Sequence, residues 1–165
     1  MKVTNEYFRD RARRRALVRE LESWRGTRFF PNLCKKGVGV DCVQFAAQVL
    51  IDVGALAPFH FPKYAWRSGG PDMLVLLRSC INSHPELVPI WPGPGDAAGW
   101  PELLPGDVFA FSTGVANHHL GIYAGDNTLY HVLARRGVCQ ANVTDPTIRG
   151  LTVGIWRPVE IGVPL

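Results

Sequence analysis

The sequence predicts an α+β domain in which N-terminal helices pack on an antiparallel sheet of about five strands. Two patterns carry this. Apolar residues recur at helical spacing through the first third of the chain. After Pro105 the period changes to two, among residues that favour strands. Helices first and strands afterwards is the order of an α+β fold. The 165 residues, 47% hydrophobic and 19% charged, suit one globular domain with a real core rather than a disordered chain.

Taken in order, Thr4 is the expected N-cap of a long helix reaching about Trp24, with Phe8, Leu17, Val18 and Leu21 facing inward and Gly26 ending it. Residues 27–40 form a loop. Asp41 is placed to cap the free amides of a second helix that runs to Val53 and stops at Gly54. Gln44, Gln48 and Asp52 are its polar positions, so this helix is mostly buried.

Residues 55–102 are irregular, with one helix from Pro71 to Ser83 opened by proline in its first turn. This stretch reads as a variable insertion that shapes a cleft, within a single domain spanning 1–165. The strands are then DVFAFS, HHLGIYA, TLYHVL, GVCQANV and LTVGIWRP.

No apolar run is long enough to span a bilayer. The N-terminal stretch MKVTNEYFRDRARRRALVRE lacks the apolar core of a secretory signal, so the chain is expected to be cytoplasmic as synthesised. The net charge of +4 is concentrated in Arg9, Arg11, Arg13, Arg14, Arg15 and Arg19. They could attract nucleic acid or an anionic cell wall, but without interleaved aromatics and with Glu20 and Glu22 nearby they read as a solvated helix face, and nucleic acid is not expected as a partner.

Cys34, Cys42, Cys80 and Cys139 form no C-x-x-C pair, which predicts free thiols rather than a disulfide or zinc framework. For Cys34, Cys80 and Cys139 packing is the expected role. Cys42 differs because it falls in the first turn of a helix, where unpaired amides and the helix dipole lower a thiol's pKa. Its candidate partners are His119 and His131. A three-residue turn at Gly125-Asp126-Asn127 would pair Ala124 with Thr128 and set Gly121 opposite His131. The two histidines then become diagonal neighbours on one face, roughly 7–8 Å apart at the backbone. A thiol, a histidine base and a polar group orienting that base are what nucleophilic acyl transfer requires. Ordinary sheet histidines, or zinc held by Cys42, His118, His119 and His131, are competing readings. The ligand spacing of common zinc sites is missing.

GTRF, DCVQF, LLPGDVFAF, HLGIYAGD and LYHV stand in an order that resembles the NlpC-type cell-wall cysteine peptidases, a papain-like family. The resemblance covers residues 16–158. It implies Cys42 as nucleophile, His119 as base and His131 as orienting residue, with no cofactor and no metal. It also implies a peptidoglycan stem peptide as substrate, cleaved at an amide bond.

Relatives carried by phages and linked to the tail most resemble this compact chain, so phage tail components are an implied partner. A phage particle or lysis would be the route to the wall. The chain departs from the family pattern at Val43-Gln44, where a small Ser-Gly pair is usual, and at Phe29, where a tyrosine hydroxyl is thought to help hold the oxyanion. Two rival functions keep the same residues. One is an acyltransferase or amidase acting on a lipid or small amide. The other is a tail or envelope-binding module without turnover.

Overall fold

Asp10 starts the first long helix, α1 (Arg11–Ser23), by accepting a hydrogen bond from the Arg13 amide at 2.9 Å. The computed structural model describes residues 5–60, 71–113 and 119–162, so the expected cap Thr4 lies outside the described residues. A short 3₁₀ turn, Tyr7–Arg9, precedes Asp10, and this interruption is what shortens the helix. Leu17 and Leu21 point into the core, whereas Val18 is 39% exposed and faces solvent.

A two-stranded ladder, β1 (Cys34–Lys35) with β2 (Gly39–Val40), leads into α2 (Cys42–Asp52). Asp41 caps α2 as the sequence indicates, and Gly54 follows with φ +78°, a left-handed conformation that glycine adopts without strain. Trp24, just past α1, packs edge-on against Phe45 of α2 with ring centroids 5.8 Å apart. Its indole N–H also donates to Glu20 at 2.7 Å.

The helix α3 (Pro71–Asn82) is followed by a strand that the sequence did not indicate, β3 (Leu87–Trp91). Pro89 and Pro92 hide it, since proline removes a ladder donor. The structure accommodates Pro89 by putting β3 at the sheet edge, paired only with the last strand.

Next come β4 (Val108–Phe111), β5 (His119–Gly125), β6 (Thr128–Leu133) and β7 (Gly137–Asn142). A short helix α4 (Pro146–Leu151), capped by Asp145, leads to β8 (Thr152–Pro158). Among the described residues the main sheet therefore has six antiparallel strands in the order β3-β8-β4-β5-β6-β7.

Period-two alternation divides the sheet between two cores. Leu120, Ile122, Tyr130 and Val132 face Val43, Phe45, Ala46, Val49 and Leu50 of α2. Phe109, Phe111, Tyr123, Leu129 and Ile155 face the other way, under Trp91 and Trp100. Burying each of the larger side chains is worth about 1.5–3 kcal/mol, so both layers clamp β5 between them.

The five strands expected are all present, and β3 is the addition. No described helix is long and apolar enough to cross a membrane.

Candidate active site

The site begins with how the start of α2 is held. Asp41 is fully buried, and its two carboxylate oxygens do separate jobs. One accepts the Gln44 amide at 2.9 Å and caps the helix; the other accepts the Asn32 amide at 2.8 Å and ties down the preceding loop. The backbone amides of Leu120, next to His119, and of Cys42 and Val43, in the first turn of the helix, favour the ionised form of the Cys42 sulfur. Cys42 thus sits where the start of α2 meets the start of β5.

Its thiol does not behave as the helix start alone predicts. Cys42 is fully buried, and burial pushes the thiol up to about 12, with the Asp41 carboxylate adding in the same direction. The surrounding amides pull it down, but desolvation of the thiolate outweighs them. The expectation of a lowered pKa is therefore corrected: in the resting protein Cys42 is a thiol.

The histidines are brought together. Gly121 pairs with His131 across β5 and β6, and His119 Nε2 lies 3.0 Å from His131 Nδ1. The rings cross at 65° with centroids 5.2 Å apart. The turn that achieves this differs from the expected one. Asp126 and Asn127, with φ of +48° and +60°, form a two-residue turn, and Gly125 rather than Ala124 pairs with Thr128. The register shifts between Tyr123 and Gly125, so Ala124 is the extra residue of a bulge. A two-residue turn alone would have put the histidines on opposite faces; the bulge restores the phase.

His131 is only 6% exposed, and burial, helped by the nearby Arg136 charge, lowers its pKa to about 4. It is consequently neutral near pH 7. His119 is half-buried, with its ring 5.5 Å from that of Phe111. Cys139 stands directly opposite His131 on β7, a neighbour that the sequence did not single out. Cross-strand register across the β6–β7 turn carries that information.

Cys34 is half-buried against α2, with its sulfur 3.9 Å from Gln48 Oε1 and its thiol pushed up to about 11 by burial. His118 lies outside the described residues. Among the described residues, no group of three or more histidine, cysteine, aspartate or glutamate side chains could hold a metal ion.

Two further features complete the surroundings. Val43 and Leu120 line a small apolar cavity of about 40 Å³ between α2 and α3, together with Ala46, Ala47, Leu77 and Ile81. At the far end of β4, Asp107 is fully buried and held by Arg157 through two contacts of 2.8 Å. Val108 pairs with Ile122 and Phe111 with His119, which puts Asp107 at the end of the ladder away from the histidines. The P-G-D turn is thus a structural clasp.

A search with the sequence matches no protein-family model and no curated protein. Solved structures do match. A lipoprotein-like protein of the NLP/P60 family from Staphylococcus aureus superposes over 96% of this chain with a TM-score of 0.59 and 15% identity. An NlpC/P60 family protein from Bacillus cereus covers 89% at a TM-score of 0.54 and 20% identity. The P60 domain of a Mycobacterium avium subspecies paratuberculosis antigen covers 91% at a TM-score of 0.51 and 18% identity. The match takes up 45% and 40% of the first two structures, so this chain spans less than half of their length, and 97% of the P60 domain. The chain has the NlpC/P60 fold.

Proposed function

We propose that this NlpC/P60 fold works as a cysteine hydrolase on amide bonds of peptidoglycan stem peptides, with Cys42 as nucleophile, His119 as base and His131 as the residue that orients the base. The observation that carries the reading is the 3.0 Å contact between His119 Nε2 and His131 Nδ1, one residue from Leu120, whose backbone favours the ionised form of Cys42. Neutral His131 can accept the Nε2 proton of His119 at Nδ1. That tautomer makes Nδ1 of His119 the basic atom, as proton abstraction from a nucleophile requires.

The resting thiol calls for proton transfer coupled to attack rather than a standing thiolate. His119 takes the thiol proton as sulfur bonds to the amide carbon. The electron pair of the carbonyl moves to oxygen, and the Cys42 and Val43 amides at the start of α2 stabilise it. His119 then delivers its proton to the leaving amine, giving a thioester. Water, deprotonated by the same histidine, attacks the thioester and releases the acid and the free thiol. Phe29 has no hydroxyl to add to the oxyanion site, so the backbone amides carry that task. Delivery to a wall by lysis or by a phage particle belongs to the same proposal.

The test is product analysis by mass spectrometry after incubating purified muropeptides with wild type, Cys42→Ala, His131→Ala and His131→Asn. Wild type is expected to cleave and Cys42→Ala to be inert. His131→Ala should lose roughly 10²–10⁴ in kcat with a smaller change in KM, as for other misoriented bases, and His131→Asn should recover part of the loss. Equal cleavage by wild type and Cys42→Ala would remove Cys42 from the mechanism.

A further inference from the structure

The outward side of α1 carries a feature that the hydrolase reading does not use. Arg11, Arg15 and Arg19 follow one another at four-residue intervals, all exposed, on the side of the helix opposite Leu17 and Leu21. Four residues rise about 6 Å along a helix, so the three guanidinium groups form a row roughly 12 Å long. Among the described residues none of the three has an ion-pair partner, whereas Arg9, Arg13 and Arg25 are engaged by Glu6, Glu160 and Glu22. Like charges four apart on a helix are destabilising by a few tenths of a kcal/mol per pair. Such a row, with Glu6, Glu160 and Glu22 engaged by other cations, presents a surface complementary in charge to an anion.

We propose that this arginine row docks a linear phosphodiester polyanion of the cell-wall type, with successive phosphates bridged by successive guanidinium groups. The row's repeat is comparable to that of an extended phosphodiester chain, and guanidinium suits bidentate phosphate contacts. Two observations argue against the other polyanions. No residue of α1 is aromatic, which leaves no platform for stacking nucleic acid bases. The outward face offers Val18 as its only large apolar side chain, too little to seat in a membrane. The docking needs no chemistry at Cys42, so it stands or falls apart from the hydrolase reading.

The experiment uses the Cys42→Ala chain, so that substrate turnover plays no part, and poly(glycerol phosphate) as the probe. Binding is measured by interferometry across a salt series. The expected result is salt-dependent binding with a log–log slope near −2, as for about three neutralised phosphates. Arg11→Gln/Arg15→Gln/Arg19→Gln should weaken it roughly tenfold or more at low salt, without lowering Tm, because the substitutions relieve helix repulsion. Removing the same charge elsewhere, with Arg28→Gln/Lys35→Gln/Arg135→Gln, should change affinity less than threefold, an order-of-magnitude allowance for net charge alone. Equal losses in the two triple variants would overturn the proposal in favour of nonspecific charge. No binding at low salt would overturn it outright. Tighter binding to single-stranded RNA or to anionic vesicles than to poly(glycerol phosphate) would replace the wall polymer with that partner.

Discussion

Gly121 stands directly across the sheet from His131, and that pairing sets the His119 ring 3.0 Å from the His131 ring. A Cβ at Gly121 would lie 2.9 Å from Leu129 Cδ2 and 3.1 Å from both Leu129 Cγ and the Tyr130 carbonyl oxygen. Leu129 is fully buried and the carbonyl belongs to the ladder, so neither yields easily. Gly121→Ala is expected to cost about 1–3 kcal/mol by overpacking. It should also reduce kcat more than KM, because the histidines are displaced together. Urea unfolding and steady-state kinetics on one preparation check both; unchanged stability and activity would show that this close approach is not needed.

His131 links stability to pH in a stated direction. Burial lowers its pKa to about 4, against about 6.5 for an unfolded histidine. Between those values the unfolded chain binds the proton and the folded one does not. Stability from this group is therefore complete above about pH 6.5 and is lost as pH falls toward 4, by roughly 3 kcal/mol in all. Urea midpoints at about pH 7 and pH 4.5 should differ more for wild type than for His131→Asn, since the substituted chain lacks this titration. Equal pH dependence in the two proteins would assign the effect to other groups.

Alkylation should find Cys42 last. Its thiol is fully buried and pushed up to about 12, while Cys34, Cys80 and Cys139 are half-buried. The thiolate is the reactive species, so iodoacetamide near neutral pH is expected to label those three before Cys42 in the folded protein. Peptide mapping over a time course gives the order. If Cys42 labels first, its thiolate is populated at rest and the coupled proton transfer above is wrong.

Asp107 and Arg157 hold the sheet at the end of the β4–β5 ladder away from the histidines. Arg157 spans Asp107, Glu6 at 2.9 Å and the Glu102 carbonyl at 2.7 Å, joining the N-terminal turn, the P-G-D turn and β8. Asp107→Asn removes one charge of a buried pair and should destabilise by about 3–5 kcal/mol. At low temperature, where the variant remains folded, kcat/KM is expected to stay within a few-fold of wild type, since removing a buried partner acts mainly on stability. A large kcat loss in fully folded Asp107→Asn would bring this clasp into the mechanism.

Much of the candidate site lay in local sequence signals. Asp41 before an apolar helical run gives the cap and puts Cys42 in the first turn, because capping is a contact between near neighbours. The alternation in HLGIYAGD and LYHV gives the shared face of His119 and His131 for the same reason. Even so, the register came from a two-residue turn plus a bulge, two departures from the expected turn that cancel.

The sequence by itself determined the α+β order, the start of α2 and the facing of the two histidines, all governed by backbone periodicity over a few residues. Tertiary structure alone decided the rest. It seats proline-bearing β3 at an edge where a missing donor is tolerated, and it pairs Asp107 with Arg157 fifty positions away. It also turns an expected thiolate into a thiol, because the pKa of Cys42 is set by how completely the folded chain removes water from its sulfur, and that depends on every element packed around it.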